Sequence, residues 1–305
     1  MNEFELIRKL ERPRGKVRMV LDTDAYNEID DQYAISYALL SPEKIEVEAL
    51  YAAPFFNSHS SGPEDGMERS YEEIIKLMKF AGREDMLPKV FRGSRSYLKD
   101  EKTPCESPAC DDLIARARAA KADEPLYVVA IGAITNVASA LIKAPDITEK
   151  IVIVWLGGHA FHWPDSNEFN MMQDVAAARV VFDSGAPVVM FPCMGVVDHA
   201  TVTKPELEHW LVGKNPLANY LAENTIAEAE SYANGTAWSR GIWDATTIAW
   251  LVDTEGRIVQ DRLERAPVCE YDHHYGFDPR RHWIKYVWHI NRDALFTDLF
   301  TRLTK

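Results

Sequence analysis

The sequence predicts an α/β protein with an open, mostly parallel sheet, helices on both faces and a helix-rich C-terminal third. Short apolar runs alternate with helical patterns through the first two-thirds of the chain, which is typical of a parallel sheet. Runs such as "IVIVWL" and "VVMF" show no polar alternation, as expected for strands buried on both faces. We find no sequence repeat and no convincing domain boundary, so residues 1–305 are expected to form a single domain.

Each predicted element follows from a local pattern of apolar residues. The predicted strands are Val17–Asp22, Ile45–Tyr51, Lys89–Arg92, Leu126–Ile131, Ile151–Leu156 and Val188–Phe191. The predicted helices between them are Asp30–Leu40, Glu68–Ala81, Asp111–Ala120, Thr135–Lys143 and Val175–Ser184. The last third adds helices at Pro205–Val212, Pro216–Ala233 and Asp244–Val252, a strand near Tyr286–Ile290 and a closing helix, Arg292–Leu303.

Composition narrows the class of protein. The chain has 305 residues, 47% of them hydrophobic, which is enough for a large core. The formal net charge of −13 disfavours nucleic acids and anionic membranes as partners, because both attract basic surfaces. The four cysteines form no CxxC pair, the N-terminal stretch lacks an apolar signal core, and no apolar run approaches a membrane span of ~20 residues. We therefore expect a cytoplasmic protein with free thiols.

The stretch "VRMVLDTDAYNEIDDQYAI" places five acidic residues within ten positions after an apolar run: Asp22, Asp24, Glu28, Asp30 and Asp31. Carboxylates are the oxygen ligands that Ca²⁺ and Mg²⁺ prefer. Some of these aspartates have simpler interpretations, since Asp30 would serve as a helix N-cap and Asp22 as an acceptor for loop amides. Four aspartates in ten residues after a buried strand cannot all be caps, which favours a metal site.

The predicted topology indicates where such a site would lie. Ligands of open parallel sheets bind outside the carboxyl ends of the strands. The loops there are "DTDAYNEIDD", "AAPFFNSHSSG", "GAITN" and "GGHAFHWPDSNEFN", after the first, second, fourth and fifth strands. All four are expected to surround one crevice. Asp244, in front of the apolar "ATTIAWL" helix, is either a further ligand or a cap.

Two enzyme families begin with a strand followed by an acidic loop. Haloacid-dehalogenase-type phosphatases use DxD followed by Thr or Val, whereas Ala25 and Tyr26 stand here. The stretch "LDTDAYNEIDDQYAI" instead resembles the signature of the nucleoside hydrolases, the inosine–uridine-preferring nucleoside N-ribohydrolases. The segments "AIGAITNVASAL", "NEFNMMQDVAAARVVF" and "WDATTIAWLVD" resemble further family motifs in the same order. The resemblance covers nearly the whole chain.

The resemblance implies a Ca²⁺ ion held by Asp24, Asp31, Asp244 and the main-chain carbonyl of Ile131. It also implies that Asp24 is the base that takes the proton of the attacking water. The residues that would hold the ribose hydroxyls are Asp30, Asn57, Glu168, Asn170 and Asp244. Cleavage of an N-glycosidic bond passes through an oxocarbenium-like sugar, so clustered carboxylates suit this chemistry.

Two departures from the family pattern concern substrate recognition. Six steps separate Asp24 from Asp30 where the family has four, and the extra residues include Asn27 and Glu28, which either reshape the sugar pocket or form a wider solvated turn. Trp243 stands where many members carry the histidine that protonates the leaving base. The purine-specific branch is similar in having Trp there, which favours stacking on a purine over a role in the core alone.

The predicted activity is therefore Ca²⁺-dependent hydrolysis of ribonucleosides, with purines favoured. Hydrolysis of another N-riboside, such as nicotinamide riboside, and an idle nucleoside-binding protein remain alternatives. We expect a homo-oligomer, either a dimer or a tetramer. The segment Tyr271–Tyr286 is interpreted as a lid or a subunit contact, and the sequence does not decide between them.

Overall fold

An eight-stranded sheet organises the protein, as seen in a computed structural model that describes residues 1–121 and 123–305. The strands in sheet order are β3 (Val90–Arg92), β2 (Ile45–Ala52), β1 (Val17–Thr23), β4 (Leu126–Ala130), β5 (Ile151–Leu156), β6 (Val188–Phe191), β12 (Trp283–Ile290) and β9 (Val259–Arg265). All neighbours pair in parallel except β9, which is antiparallel to β12. This confirms the predicted open, mostly parallel sheet.

Helices follow most of the strands. They are α1 (Glu3–Lys9), α2 (Asp31–Leu39), α3 (Pro63–Phe80), α4 (Pro108–Ala119), α5 (Thr135–Lys143), α6 (Phe169–Gln173), α7 (Val175–Asp183), α8 (Lys204–Trp210), α9 (Pro216–Ala233), α10 (Ala245–Val252) and α11 (Arg292–Leu303). The helices α3 and α4 begin earlier than predicted because each has a proline in its first turn, where the missing N–H costs nothing.

Buried side chains form two clusters, one on each side of the sheet. Along β1, Met19 and Leu21 belong to one cluster and Val20 to the other, because alternate side chains of a strand point to opposite faces. The first cluster includes residues of α2, α3, α9, α10 and α11. The second includes residues of α4, α5 and α7. The sheet is therefore covered on both faces, as its apolar strands predicted.

Two short antiparallel pairs lie outside the main sheet. The first joins β7 (Thr201–Val202) to β8 (Arg240–Gly241), just before Trp243. The second joins β10 (Val268–Cys269) to β11 (Tyr275–Gly276), and β11 lies within the segment Tyr271–Tyr286, which was interpreted as a lid or subunit contact. None of the described helices is long and apolar enough to cross a membrane.

Candidate active site

The acidic loop runs from the end of β1 to the start of α2. Asp22, still on the strand, accepts a hydrogen bond from Asn136 Nδ2 at 2.7 Å, and its other oxygen is buried without a described partner. Burial raises the pKa of Asp22 to about 7. Asn136 also accepts from the backbone and hydroxyl of Ser94 through its Oδ1, at 2.7 and 2.8 Å. Asp22 therefore supports the loop from behind, as expected.

Asp30 and Asp244 occupy the N-cap positions of α2 and α10, yet neither side chain caps its own helix. Instead Asp30 Oδ2 accepts hydrogen bonds from the backbone N–H groups of Trp243 and Asp244, at 3.0 and 3.3 Å. The acidic loop is thereby tied to the start of α10, more than two hundred residues further along the chain. The interpretation of these two aspartates as plain helix caps is wrong, because their carboxylates turn toward each other.

Four buried aspartates meet where these elements converge. Carboxylate oxygens of Asp30, Asp31 and Asp244 lie within 4.8 Å of one another, and Asp31 also accepts from Thr23 Oγ1. Asp24 lies beside Asp31, and both of its oxygens are buried without a described hydrogen-bond partner. Burial, followed by repulsion from neighbouring carboxylates, raises the pKa of Asp24, Asp31 and Asp244 well above the usual value.

This group fits a divalent cation of the Ca²⁺ type. Its donors are hard oxygens, and both carboxylate oxygens of Asp24 are buried without a hydrogen-bond partner among the described residues. The backbone also approaches closely, since a Cβ on Gly132 would lie 2.8 Å from Asp24 Oδ1. A positive ion would offset both the burial of these carboxylates and their mutual repulsion. The Ile131 carbonyl lines the adjoining cavity and accepts from Asn170 Nδ2 at 3.2 Å, which leaves it a second lone pair.

A small cavity adjoins the aspartates, with a volume of about 40 Å³, space for a few water molecules. Its lining residues are Asn27, Glu28, Asp30, Ile131, Leu156, Glu168, Phe169, Asn170, Trp243 and Asp244. Loops after β1, β4 and β5 therefore surround one crevice, whereas the loop after β2, which was also predicted here, supplies none of the lining residues. A nucleoside exceeds this volume, so its base must extend beyond the cavity or the bordering loops must move apart.

Of the residues expected to hold the ribose, Glu168 and Asn170 line the cavity, whereas Asn57 does not. Glu168 accepts backbone hydrogen bonds from Gly158, Asn170 and Met171, at 2.8 to 3.0 Å, and burial raises its pKa to about 7. Asn170 donates to the carbonyls of Ile131 and Leu156, which joins the ends of β4 and β5. Both side chains are thus fixed at the cavity wall.

Asn57 lies outside the cavity lining. Its Nδ2 donates to Asn27 Oδ1, and its own Oδ1 accepts from the backbone N–H of His59. His59 in turn meets the Asn27 carbonyl through Nδ1 at 2.8 Å. The loop after β2 therefore reaches the crevice through the extra residue Asn27, which stands between Asn57 and the cavity.

Trp243 has a fixed position at the cavity wall. Its Nε1 donates to the Asp198 carbonyl at 3.3 Å, and its backbone N–H is held by Asp30. The ring lies against Gly241, where a Cβ would come within 2.5 Å of ring atoms. Trp243 also packs on the hydrophobic core, so one side chain borders both core and cavity.

Arg240 is a residue of the site that sequence reasoning missed. It forms ion pairs with Glu28 at 2.6 Å and with Glu228 of α9 at 2.9 Å, and its side chain is only 12% exposed. Glu28 therefore lines the cavity with a cation beside it, while its side chain stays partly exposed. The sequence offered no signal for this pair, because its members are 212 positions apart.

The segment after β9 supports the loop that carries Glu168. Tyr275 Oη donates to the His159 carbonyl at 3.1 Å, and the His273 carbonyl accepts from the Ser166 backbone N–H at 2.7 Å. Both contacts lie on the loop between β5 and α6. The segment therefore packs against the rear of the site.

Comparison with known proteins identifies the family. The sequence model of the inosine-uridine preferring nucleoside hydrolase family matches residues 19–296. The chain is 29% identical over 270 residues to the pyrimidine-specific ribonucleoside hydrolase RihA of Enterobacter sp. (strain 638), covering 80% of this chain and 82% of the relative.

Solved structures show the same fold. A plant nucleoside hydrolase, PpNRh1, matches with a TM-score of 0.75 and 22% identity, over 96% of this chain and 99% of the other. A purine-preferring ribonucleoside hydrolase from Gardnerella vaginalis matches with a TM-score of 0.71 and 21% identity, over 94% and 98% of the two chains.

The family match, on a parallel sheet with buried carboxylates at the carboxyl ends of its strands, makes the protein an N-glycosyl hydrolase of ribosides. The match over nearly the whole chain makes it a member of the inosine-uridine preferring nucleoside hydrolase family. The phosphatase interpretation is thereby wrong.

Proposed function

We propose that the protein hydrolyses ribonucleosides in a Ca²⁺-dependent reaction and favours purine nucleosides. The observation that carries the proposal is the buried cluster of Asp30, Asp31 and Asp244 with Asp24 beside it, because neither oxygen of Asp24 has a hydrogen-bond partner among the described residues. Such a group is costly to bury without a counter-ion. In this proposal Asp24, Asp31, Asp244 and the Ile131 carbonyl hold the ion, which when bound lowers the pKa of a water molecule.

The chain's own residues then perform the remaining chemistry. Asp24 accepts the proton of the attacking water, because no described residue donates a hydrogen bond to its carboxylate oxygens. Asp30, Glu168 and Asn170 surround the sugar and orient its hydroxyl groups. Their negative and dipolar oxygens stabilise the positive charge that develops on the ribose as the C–N bond breaks.

Trp243 supports the purine preference. Its indole is fixed by Asp198 and Gly241 at the cavity wall, where the leaving base must emerge. A bicyclic purine offers a larger area for stacking than a pyrimidine does. Experiment must decide between purines and pyrimidines, because one relative is named pyrimidine-specific and one solved structure is named purine-preferring.

The test is release of ribose from inosine, adenosine, uridine and cytidine, measured with Ca²⁺ and with a chelator. We expect one Ca²⁺ per chain by elemental analysis, activity lost in chelator and restored by Ca²⁺, and higher catalytic efficiency for the purines. Asp31→Ala and Asp244→Ala should abolish tight Ca²⁺ binding. Asp272→Ala, an exposed aspartate of the β10–β11 connection, is the control and should retain it. Full activity in metal-free protein would refute the proposal.

A further inference from the structure

Asn27, one of the extra residues of the acidic loop, is held in place by three hydrogen bonds. Its backbone N–H donates to the Asp24 carbonyl at 2.7 Å. Its own carbonyl lies 2.8 Å from His59 Nδ1, so that nitrogen carries the proton. Its Oδ1 accepts from Asn57 Nδ2. The residue is only 7% exposed and lines the small cavity beside the aspartates. Such a fixed residue belongs to the site and not to a solvated turn.

The neighbours of Asn27 also set the orientation of its side-chain amide. The backbone N–H of His59 can only donate, so Asn57 presents Oδ1 to it, at 2.8 Å. Asn57 therefore directs its donor, Nδ2, at Asn27, which must receive it with Oδ1. The Nδ2 of Asn27 is left with no hydrogen bond to any residue that the structure describes. Asn27 thus brings an unused donor to the cavity wall.

The rest of the cavity is rich in acceptors. Its other polar side chains include the carboxylates of Glu28, Asp30, Glu168 and Asp244. An ionised carboxylate only accepts hydrogen bonds. Asn170 uses both Nδ2 hydrogens on the carbonyls of Ile131 and Leu156, at 3.2 and 3.0 Å, and Trp243 uses its one ring N–H on a main-chain carbonyl. Among the described side chains that line this cavity, Asn27 therefore holds the donor that is still free.

A sugar hydroxyl needs both kinds of partner. It donates its proton to an acceptor, and its oxygen accepts from a donor. The carboxylates of the cavity can take the proton, but they cannot satisfy the oxygen. Asn27 Nδ2 supplies what the carboxylates lack, and the fixed amide loses little conformational freedom when it binds.

We propose that Asn27 binds the ribose of the substrate by donating a hydrogen bond from Nδ2 to one hydroxyl oxygen. It thereby takes the role that the resemblance assigned to Asn57. Asn57 becomes a positioning residue, because it acts on the sugar through Asn27. This inference rests on the proposed function and adds a residue that determines specificity at its sugar site. A sugar without that hydroxyl would leave the Asn27 donor unpaired in the closed site, which disfavours it.

The experiment compares inosine with its 2′-, 3′- and 5′-deoxy forms, or the same series of uridine if uridine reacts faster. Asn27→Asp keeps the shape and the oxygen that accepts from Asn57, but replaces the free donor with an acceptor. Catalytic efficiency for the parent nucleoside should fall about tenfold or more. For one deoxy form the variant and the wild type should differ less than twofold, because the bond is already missing there.

Two further variants separate this effect from charge and from damage to the fold. Asn27→Ala adds no charge and should show the same dependence on the deoxy position. Asn2→Asp is the matched control, since it makes the same change at an exposed helix N-cap and should leave all four substrates unaffected.

The role of Asn57 is tested by combining substitutions. Asn57→Ala should cost less than Asn27→Ala, because the Asp24 and His59 contacts still hold Asn27. In the Asn27→Ala background it should cost nothing more. A further loss in the double variant would mean that Asn57 meets the sugar itself.

Equal losses for the parent and all three deoxy forms, or an unchanged efficiency for the parent, would overturn the inference while nucleoside hydrolysis stands. If no substrate releases its sugar, the proposed function fails. Calorimetric titration with D-ribose then decides the inference. It is refuted if the wild type does not bind ribose, or if Asn27→Ala binds ribose equally well.

Discussion

Asp24 is the residue on which the proposed chemistry depends most. Asp24→Asn preserves the shape of the side chain but removes the proton acceptor. We expect kcat to fall by about 10²- to 10⁴-fold, the usual effect of losing a general base, with a much smaller change in the affinity for a ribose analogue. Single-turnover kinetics and analogue binding measure the two effects. Near-wild-type turnover in this variant would place the base elsewhere.

Substitutions of Trp243 distinguish stacking on the leaving base from packing in the core alone. If its ring stacks on the leaving base, Trp243→Ala should reduce catalytic efficiency for inosine up to about tenfold more than for uridine, and Trp243→Phe should reduce it less. Trp243→His introduces the acid found in many family members and should raise uridine turnover relative to inosine. The measurement is the inosine-to-uridine ratio in the four proteins, with thermal stability recorded for each. An unchanged ratio in a destabilised Trp243→Ala protein would show that the ring serves only the core.

The sequence located the acidic residues of the site because their density exceeds what helix caps explain. It did not locate Arg240 or the role of Asn136, since each acts through a partner far away in the chain. It placed Asn57 at the ribose by analogy, whereas the extra residue Asn27 lies between Asn57 and the cavity. A family residue's role therefore cannot always be assigned to the aligned residue of this chain, because an insertion changes which side chain reaches the site.

The connection between β4 and α5 illustrates how an element constrains the site. Gly132 lies so close to Asp24 that an added Cβ would meet a carboxylate oxygen at 2.8 Å and the Ala53 side chain at 3.2 Å. Gly132→Ala should therefore displace Asp24 and weaken Ca²⁺ binding at least tenfold. Gly15→Ala, at a glycine with nothing within 4 Å, is the matched control and should bind normally. Calorimetric titration with Ca²⁺ tests this, and equal affinities would show that the loop yields without cost.

Most elements of the parallel sheet were predictable because buried strands are continuous apolar runs. The edge strand β9 was not, since its sequence "VQDRLER" is largely polar and its side chains are mostly part-exposed. The five-residue helix α6 was too short for a helical period. The helix α1 and the two-residue strands β7, β8, β10 and β11 were not predicted either. All of these elements are short or largely polar, so they lack the apolar pattern that reveals an element in sequence.

The stability of the whole molecule should depend on pH, and this pH dependence should change when metal binds. In metal-free protein, burial raises the folded-state pKa of Asp22 and Glu168 to about 7 and, with Glu28, that of Asp30 to about 6. Their unfolded values lie near 4, so the folded state binds more protons between pH 4 and 7. The stabilisation that these groups contribute is therefore fully present below pH 4, and it is lost as the pH rises through 6 to 7.

We expect the midpoint of thermal unfolding in chelator to fall by about 5 °C or more between pH 5 and pH 8. Saturating Ca²⁺ should raise the midpoint most at pH 8, because it binds the ionised carboxylates of the folded state. Asp22→Asn, which can still accept from Asn136, should flatten the dependence. Scanning calorimetry measures the midpoint in chelator, with Ca²⁺ and in the Asp22→Asn variant. A midpoint in chelator that is constant between pH 5 and pH 8 would contradict the raised folded-state pKa values of these carboxyl groups.

The hydrogen bonds from the start of α10 to Asp30 have a kinetic consequence. They join residues 213 and 214 positions apart, so the carboxylates of Asp31 and Asp244 meet only when a loop of more than two hundred residues has closed. Contacts between residues so far apart form slowly, so we expect this closure late in folding. Ca²⁺ should accordingly change the refolding rate little and slow unfolding instead.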